Sequence, residues 1–408
     1  MGWLYRWVRA YRARRQETEY IALREHYYRK AGPLFAEPGW RARSREMLRR
    51  RWVGPSQIKP RLADVRVFAA AADDLGGPRI LNSLADACDL ELFDLRQYRT
   101  LDNEDARERT ARELSRWRPR LQRDAVAAFK SAHARKAVDI VFAYGNYFDF
   151  EPETFRAMSA AGVPVVDLCL DDKHIFLPKD LPWPNGQKPL IGSADVHLTN
   201  SLEIVRWYMG EGVPAYFMPQ GVDPKIFRPM NVQKTVEVCF IGQRYGMRGS
   251  LVDALCAAGL NVACFGGGWG TRSISEAEKV EMYSRARVNL GIGGTGVSDR
   301  VTCIKGRDFE VPAAGGLYLT TYNPELTSVY DIGREILCYF NELDCVEVIR
   351  YYLERPDEAA AIAAAGRARC LLDHTWEVRV RELFEWMGIL DSTHDRRLPG
   401  AIAERGRG

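Results

Sequence analysis

The sequence predicts an α/β protein of two doubly wound (Rossmann-like) domains, each a parallel sheet covered by helices, behind a basic helical extension. Three observations predict it. Short apolar runs such as VRVFAAAA (65 to 72) and VEVCFIG (236 to 242) alternate with helical stretches, and such runs read as strands buried on both faces. The links between strands and helices are short and carry Gly or Pro. The alternation stops at a polar, proline-bearing linker, PQGVDPKIFRPMNVQKT, and then restarts. The expected divisions are a leader over 1–60, a first domain over 61–222, a second over 223–390 and a polar, Gly-rich tail over 391–408.

Composition agrees. The 408 residues are 46% hydrophobic and 27% charged, the profile of a globular protein with sequence for more than one core. No run approaches the roughly 18 apolar residues of a membrane span, and the start, MGWLYRWVRAYRARR, has no apolar core of a secretory signal. A cytoplasmic location is expected. Nine cysteines are scattered with no CxxC pair and no His cluster at ligand spacing, so neither a disulfide framework nor a metal site is expected.

The net charge of +4 is unevenly distributed, because the first 52 residues hold 14 basic against 5 acidic side chains. Within residues 3–30, Trp3, Leu4, Trp7, Val8 and Tyr11 recur at helical spacing, followed by Tyr20, Leu23, Tyr27 and Tyr28, with arginines between them. One or two amphipathic helices ending near Gly32 and Pro33 are predicted. Their surface suits an anionic membrane, peripheral at its inner face, or packing on the body of the protein or on a second copy. Residues 41–52 repeat the basic bias without a nucleic-acid reading motif, and nucleic acid is not expected as a partner.

In the first domain, strands are predicted at 65–72, 90–93, 137–143, 165–170, 194–199 and 216–218, with surface helices over 102–136 and 152–161. In the second, strands fall at 236–242, 261–269, 288–292 and 317–319. Helices fall at 248–258, 276–284, 351–370 and 376–387, the last closing this domain.

The stretch CIKGRDFEVPAAGGLYLT (303 to 320) carries the most chemistry. It sets Glu310 in a helix that closes on Gly315 and Gly316, with Lys305 and Arg307 beside it. Helix N–H groups and neighbouring cations seat phosphate, a carboxylate accepts ribose hydroxyls, and paired glycines let backbone approach a ligand or a strand. An ordinary helix-to-strand crossover with a glycine cap fits the spacing equally. Asp171, Asp172 and His174 follow a buried strand and offer a general base or an acceptor ligand, or simply cap a turn. Gly76 and Gly77 follow the first strand and would leave room for donor phosphate or acceptor, or serve the turn alone. Trp269, after Gly266 to Gly268, lines a nucleotide pocket or packs in the core. The run Gly293-Gly294-Thr295-Gly296 lacks the Lys-Ser/Thr ending of a Walker motif.

Two such domains place a ligand between the carboxyl ends of their sheets. Between residues 137 and 387 the chain resembles the CgeB-like (spore-maturation-protein-like) glycosyltransferases, within the GT-B class of nucleotide-sugar transferases. The segments that carry the resemblance are VDIVFAYG, VPVVDLCLDD and SADVHLTNSLEIVRWYMGEGVPAYFMPQGVDPKIF in the first domain. In the second they are VCFIGQRYGMRGSLVDAL, KGRDFEVPAAGGLYLTTYNPEL and YYLERPDEAAAIAAAGRARCLLDHTWEVR. The resemblance implies two domains facing across a cleft, and sugar transfer from a nucleoside diphosphate, a UDP-sugar by preference, without metal or cofactor, to an unidentified glycan, glycolipid or protein acceptor. It also implies that Glu310 grips the ribose. Arg248, beyond the strand ending at Gly242, would face the diphosphate, with Lys305 or Arg307 as its partner. Related retaining enzymes carry a second glutamate eight positions before the ribose ligand, where this chain has Thr302, which leaves the stereochemistry open. A non-catalytic nucleotide-sugar-binding scaffold and a nucleotide-sugar epimerase are the alternative readings.

Overall fold

The computed structural model describes residues 2–35, 39–72, 80–98, 106–178, 184–294, 298 and 300–392. The chain divides into two compact units: Met1–Glu25 with Gln220–Thr375 (unit one), and His26–Pro219 with Trp376–Gly408 (unit two).

Unit two holds six parallel strands, β1 (Arg66–Ala71), β2 (Asp89–Asp94), β3 (Ile140–Tyr144), β4 (Val165–Cys169), β5 (Val196–Thr199) and β6 (Ala215–Phe217). They lie in the order β2-β1-β3-β4-β5-β6. Side-chain direction alternates along each strand, so β1 splits its residues between two cores. Val67, Ala69 and Ala71 face one core, and Phe68 and Ala70 face the other. The second core is covered by Leu121, Ala125 and Phe129 of the helix Ala106–Arg135 and by Phe155 and Met158 of the helix Pro152–Ser159.

The first core corrects the expected domain boundary. Trp376, Val380, Leu383, Phe384 and Met387 form one stripe of the helix Trp376–Met387 and pack with Val67, Leu84 and Phe142. This helix therefore completes the sheet of unit two and does not close the second domain. The apolar stripe predicts burial, but it does not specify against which sheet.

Unit one holds β7 (Val236–Ile241), β8 (Val262–Phe265), β9 (Ala286–Leu290), β10 (Tyr318–Thr321) and β11 (Leu337–Tyr339), parallel and in the order β11-β10-β9-β7-β8. The predicted helix over 351–370 is two helices, Glu342–Glu354 and Pro356–Asp373, parted at the residue before a proline as X–Pro geometry requires.

The leader is not a separate domain. A single helix, Gly2–Phe35, contributes its residues up to Glu25 to unit one and the rest to unit two. In unit two, Tyr27 and Ala31 are fully buried four residues apart, with the Tyr27 ring stacked on Trp207 at 5.2 Å. The side chains of Trp3, Leu4, Trp7 and Val8 lie outside the described residues. Tyr11, Ile21 and Tyr28 are exposed. The next helix, Trp40–Arg51, buries Ser44 and Leu48 and leaves Arg43, Arg49 and Arg50 exposed. Among the described residues, no helix is long and apolar enough to cross a membrane.

Candidate functional site

In unit one the strand order reverses between β7 and β9, which run side by side although β8 separates them in sequence. Open α/β sheets bind ligands at such a switch point, beyond the carboxyl ends of the strands. A cavity of about 640 Å³ lies there, lined by residues that follow β7 (Tyr245, Arg248), β9 (Ile292, Ser298) and β11 (Phe340, Asn341). Two helices present their N-termini to it, Arg248–Ala257 and Glu342–Glu354, so their positive dipole ends face the same space.

Two guanidinium groups meet at Gly242 beside the cavity, of which Arg248 lines it and Arg307 does not. A Cβ placed on Gly242, the first residue after β7, would lie 2.9 Å from Arg307 Nη1 and 3.4 Å from Arg248 Nη1. A side chain at this position would push the two guanidiniums aside. Arg248 is only 6% exposed; its Nη1 donates to the Gln243 carbonyl at 3.0 Å, and its Cζ lies 3.9 Å from the Tyr245 ring centroid. Arg307 spans the switch point, donating to the carbonyls of Ile241 (3.1 Å) and Ile292 (3.3 Å). Phe240 lies beneath both, 5.7 Å from Arg248 and 5.2 Å from Arg307. Neither arginine forms an ion pair with a described carboxylate, and the Nε atoms of both are buried without a partner. Burial, with Arg307 adding to it, pulls Arg248 down to about 10. Arg248, buried and held by a neutral carbonyl and aromatic faces, is suited to an anion that supplies the missing charge. Arg307 is half-buried, and although burial opposes its charge, Tyr318, Tyr283, Asp308 and Glu310 outweigh that effect and raise it.

The sequence named Gly242, Arg248 and Arg307, and the structure brings them together. It places the other candidates elsewhere. Glu310 does not line this cavity. Its Oε2 takes the Lys279 ammonium at 2.6 Å and the Tyr283 hydroxyl at 3.2 Å, and its Oε1 faces Gly306, where Gln220 also converges. The Lys305 backbone N–H donates to Asp308 Oδ2 at 2.6 Å, and its side chain is not among the cavity lining. Gly315 has φ +73° and ends the helix Arg307–Ala313; a Cβ on Gly316 would lie 2.5 Å from Asn289 Nδ2. Both glycines serve helix-to-strand packing rather than approach to a ligand in the cavity. Trp269 is likewise away from the cavity: its Nε1 donates to the Gly242 carbonyl at 2.7 Å, and Gly266 at φ +120° packs against that same carbonyl. The glycine run thus braces the loop that carries Gly242.

In unit two, Asp172 is fully buried with the Tyr208 hydroxyl 3.4 Å from Oδ2, so it is an interior group and not a carboxylate open to substrate. Asp171 is exposed at the start of the short helix Asp172–Ile175, and His174 is half-buried within it. Gly76 and Gly77 lie outside the described residues. Sequence reasoning missed Tyr245, Ser298, Asn341 and Lys279. The first three stand in loops that only the sheet order brings together. A capping box of Ser275 and Glu278 marks the start of the helix that carries Lys279, but nothing in that pattern points to Glu310.

Residues 248–385 match the family model described as "Glycosyl transferase-like". No curated protein sequence matches the chain. Among solved structures, sucrose-phosphate synthase from Thermosynechococcus elongatus superposes with a TM-score of 0.54 at 13% identity, over 79% of this chain and 98% of that one. The Anabaena HepE protein, solved in complex with UDP and glucose, gives 0.52 at 12% identity over 80% and 100%. A glycosyltransferase from Rickettsia africae gives 0.53 at 11% over 81% and 100%. The two doubly wound units thus have the fold of GT-B glycosyltransferases.

Proposed function

We propose that the chain is a glycosyltransferase that takes its sugar from a nucleoside diphosphate donor, with a UDP-sugar favoured, and that the cavity at the switch point of unit one holds the donor diphosphate. The observation that carries this reading is the buried guanidinium of Arg248 on the cavity wall, with Arg307 beside it at Gly242 and no ion pair to a described carboxylate for either. It is supported by the match of residues 248–385 to a glycosyl transferase-like family and by the UDP in the HepE complex. The finer placement among CgeB-like transferases rests on the segments KGRDFEVPAAGGLYLTTYNPEL and RPDEAAAIAAAGRARCLLDHTW.

The chemistry follows from charge. As the bond from sugar to diphosphate breaks, negative charge grows on the departing phosphate. Fixed cations and N–H groups already aimed at that position stabilise the transition state without reorganising. In this reading Arg248 carries out that task without a metal, with Arg307 beside it. Glu310 accepts the ribose hydroxyls, its orientation set by Lys279 and Tyr283. Asp171 is the exposed carboxylate beyond β4 and the candidate for activating the acceptor hydroxyl. We assign the basic leader to a peripheral position on an anionic, inner-face membrane surface, supported by the exposed Arg43, Arg49 and Arg50 beside the fully exposed Val53. Vesicle flotation that requires anionic lipid and falls with salt is the expected result; flotation indifferent to both would remove this assignment.

Incubating the full chain with a panel of nucleotide-sugars and measuring free nucleoside diphosphate tests the activity. Slow acceptor-independent release from one donor is expected. A folded protein that releases nothing from any donor would refute the catalytic reading.

A further inference from the structure

Ser298 lines the cavity and is only 3% exposed. Its hydroxyl donates to Glu17 Oε1 at 2.8 Å and accepts from the backbone N–H groups of Arg300 (3.1 Å) and Val301 (3.2 Å). A hydroxyl has one proton and two lone pairs, so all three are in use and the geometry is fully determined. The acceptor that orients the hydroxyl comes from the leader helix Gly2–Phe35, 281 residues earlier in the chain. The other oxygen, Glu17 Oε2, faces the guanidinium of Arg300 at 3.9 Å, and Arg300 also lines the cavity. The Glu17 side chain is only 16% exposed, whereas that of Arg300 is 82% exposed. An exposed, distant ion pair contributes little. The short hydrogen bond from a buried hydroxyl to a carboxylate is the stronger hold.

We propose that Glu17 is a positioning residue of the donor pocket: through Ser298 it fixes the course of the chain at Arg300 and Val301, so the N-terminal helix is a structural part of the donor site. This inference rests on the reading of the cavity as a donor site. Glu17 touches no substrate and acts only through the wall that it holds.

The test compares Glu17→Ala, Glu17→Gln, Ser298→Ala and the double alanine variant in the full chain, by titration with UDP and by amide hydrogen exchange. Glu17→Ala is expected to weaken UDP about tenfold, on the scale of one lost charge-assisted hydrogen bond. Glu17→Gln keeps an acceptor for the Ser298 hydroxyl and is expected to restore most of the affinity. The double variant is expected to bind no more weakly than the worse single variant, because both remove the same contact. Exchange at the amides of Arg300 and Val301 is expected to accelerate in Glu17→Ala and Ser298→Ala but not in Glu17→Gln. Unchanged UDP affinity in Glu17→Ala, equal losses in Ala and Gln variants, or unchanged exchange at both amides would each overturn the proposal. If the unaltered chain binds no nucleoside diphosphate, the donor reading fails and with it the link to substrate. The exchange data then still decide whether Glu17 holds the loop.

Discussion

Replacing Arg248 with methionine separates a functional cation from a structural one, because the two roles predict opposite changes. Arg248 is buried at 6% exposure beside Arg307 and is pulled well below its ordinary value, to about 10. At about 1.4 kcal/mol per pH unit, the folded chain holds the charged form at a cost of about 3 kcal/mol. Methionine retains most of the aliphatic stem and removes the charge, so that cost disappears. The lost hydrogen bond to the Gln243 carbonyl takes back about 1 kcal/mol. Without ligand, the variant is therefore expected to be as stable as the parent or more stable, by up to about 2 kcal/mol. Its affinity for UDP is expected to fall by about 1.5–3 kcal/mol, the worth of a hydrogen bond to a charged group, which is roughly 10- to 150-fold. Thermal unfolding with and without UDP reads both quantities, since saturating ligand adds stability in proportion to its affinity. A variant that binds UDP like the parent, or that loses stability and binding together, would refute the claim that this guanidinium is kept uncompensated for an anion.

Other substitutions sort the remaining candidates. Glu310→Gln keeps an acceptor for Tyr283 but leaves Lys279 without its carboxylate. UDP is expected to bind about tenfold more weakly, about 1.4 kcal/mol, while inorganic pyrophosphate, which has no ribose, binds unchanged. Gly316→Ala would drive a Cβ to 2.5 Å from Asn289 Nδ2 and 3.0 Å from the Tyr283 carbonyl, costing about 1–3 kcal/mol of stability by overpacking. Chemical denaturation should register that loss, with UDP affinity unaltered at low temperature. Phe384→Ala removes a fully buried ring from the core under β1 and β3 and is expected to cost about 3–5 kcal/mol. Limited proteolysis should then cut first within residues 26–219, not within 220–375.

The strands were legible in the sequence because parallel strands buried on both faces are nearly continuous apolar runs, as RVFAAA and VEVCFI are. β11, three residues long, is too short to stand out from its surroundings. The helix Trp376–Met387 was legible as a buried stripe, but its partner sheet is a tertiary choice that a pattern along one chain does not encode. At the site, Arg307 was legible as a cation beside the helix of Glu310, Arg248 was singled out only through the resemblance, and Gly242 only as the end of a strand; that both arginines meet at Gly242 depends on the sheet order. Gly315 and Gly316 illustrate the converse. A small residue fits close approach of a ligand and close approach of Asn289 equally well, and here it is Asn289. The contact of Glu17 with Ser298 has no local signature at all, because it depends on how the leader helix packs in unit one.

The central claim is tested most directly by titration calorimetry of the full chain with UDP and UDP-glucose. The account predicts one site per chain, competed by pyrophosphate and weakened by Arg248→Met. Absence of binding by any nucleoside diphosphate to a folded sample, or binding that Arg248→Met leaves intact, would contradict it.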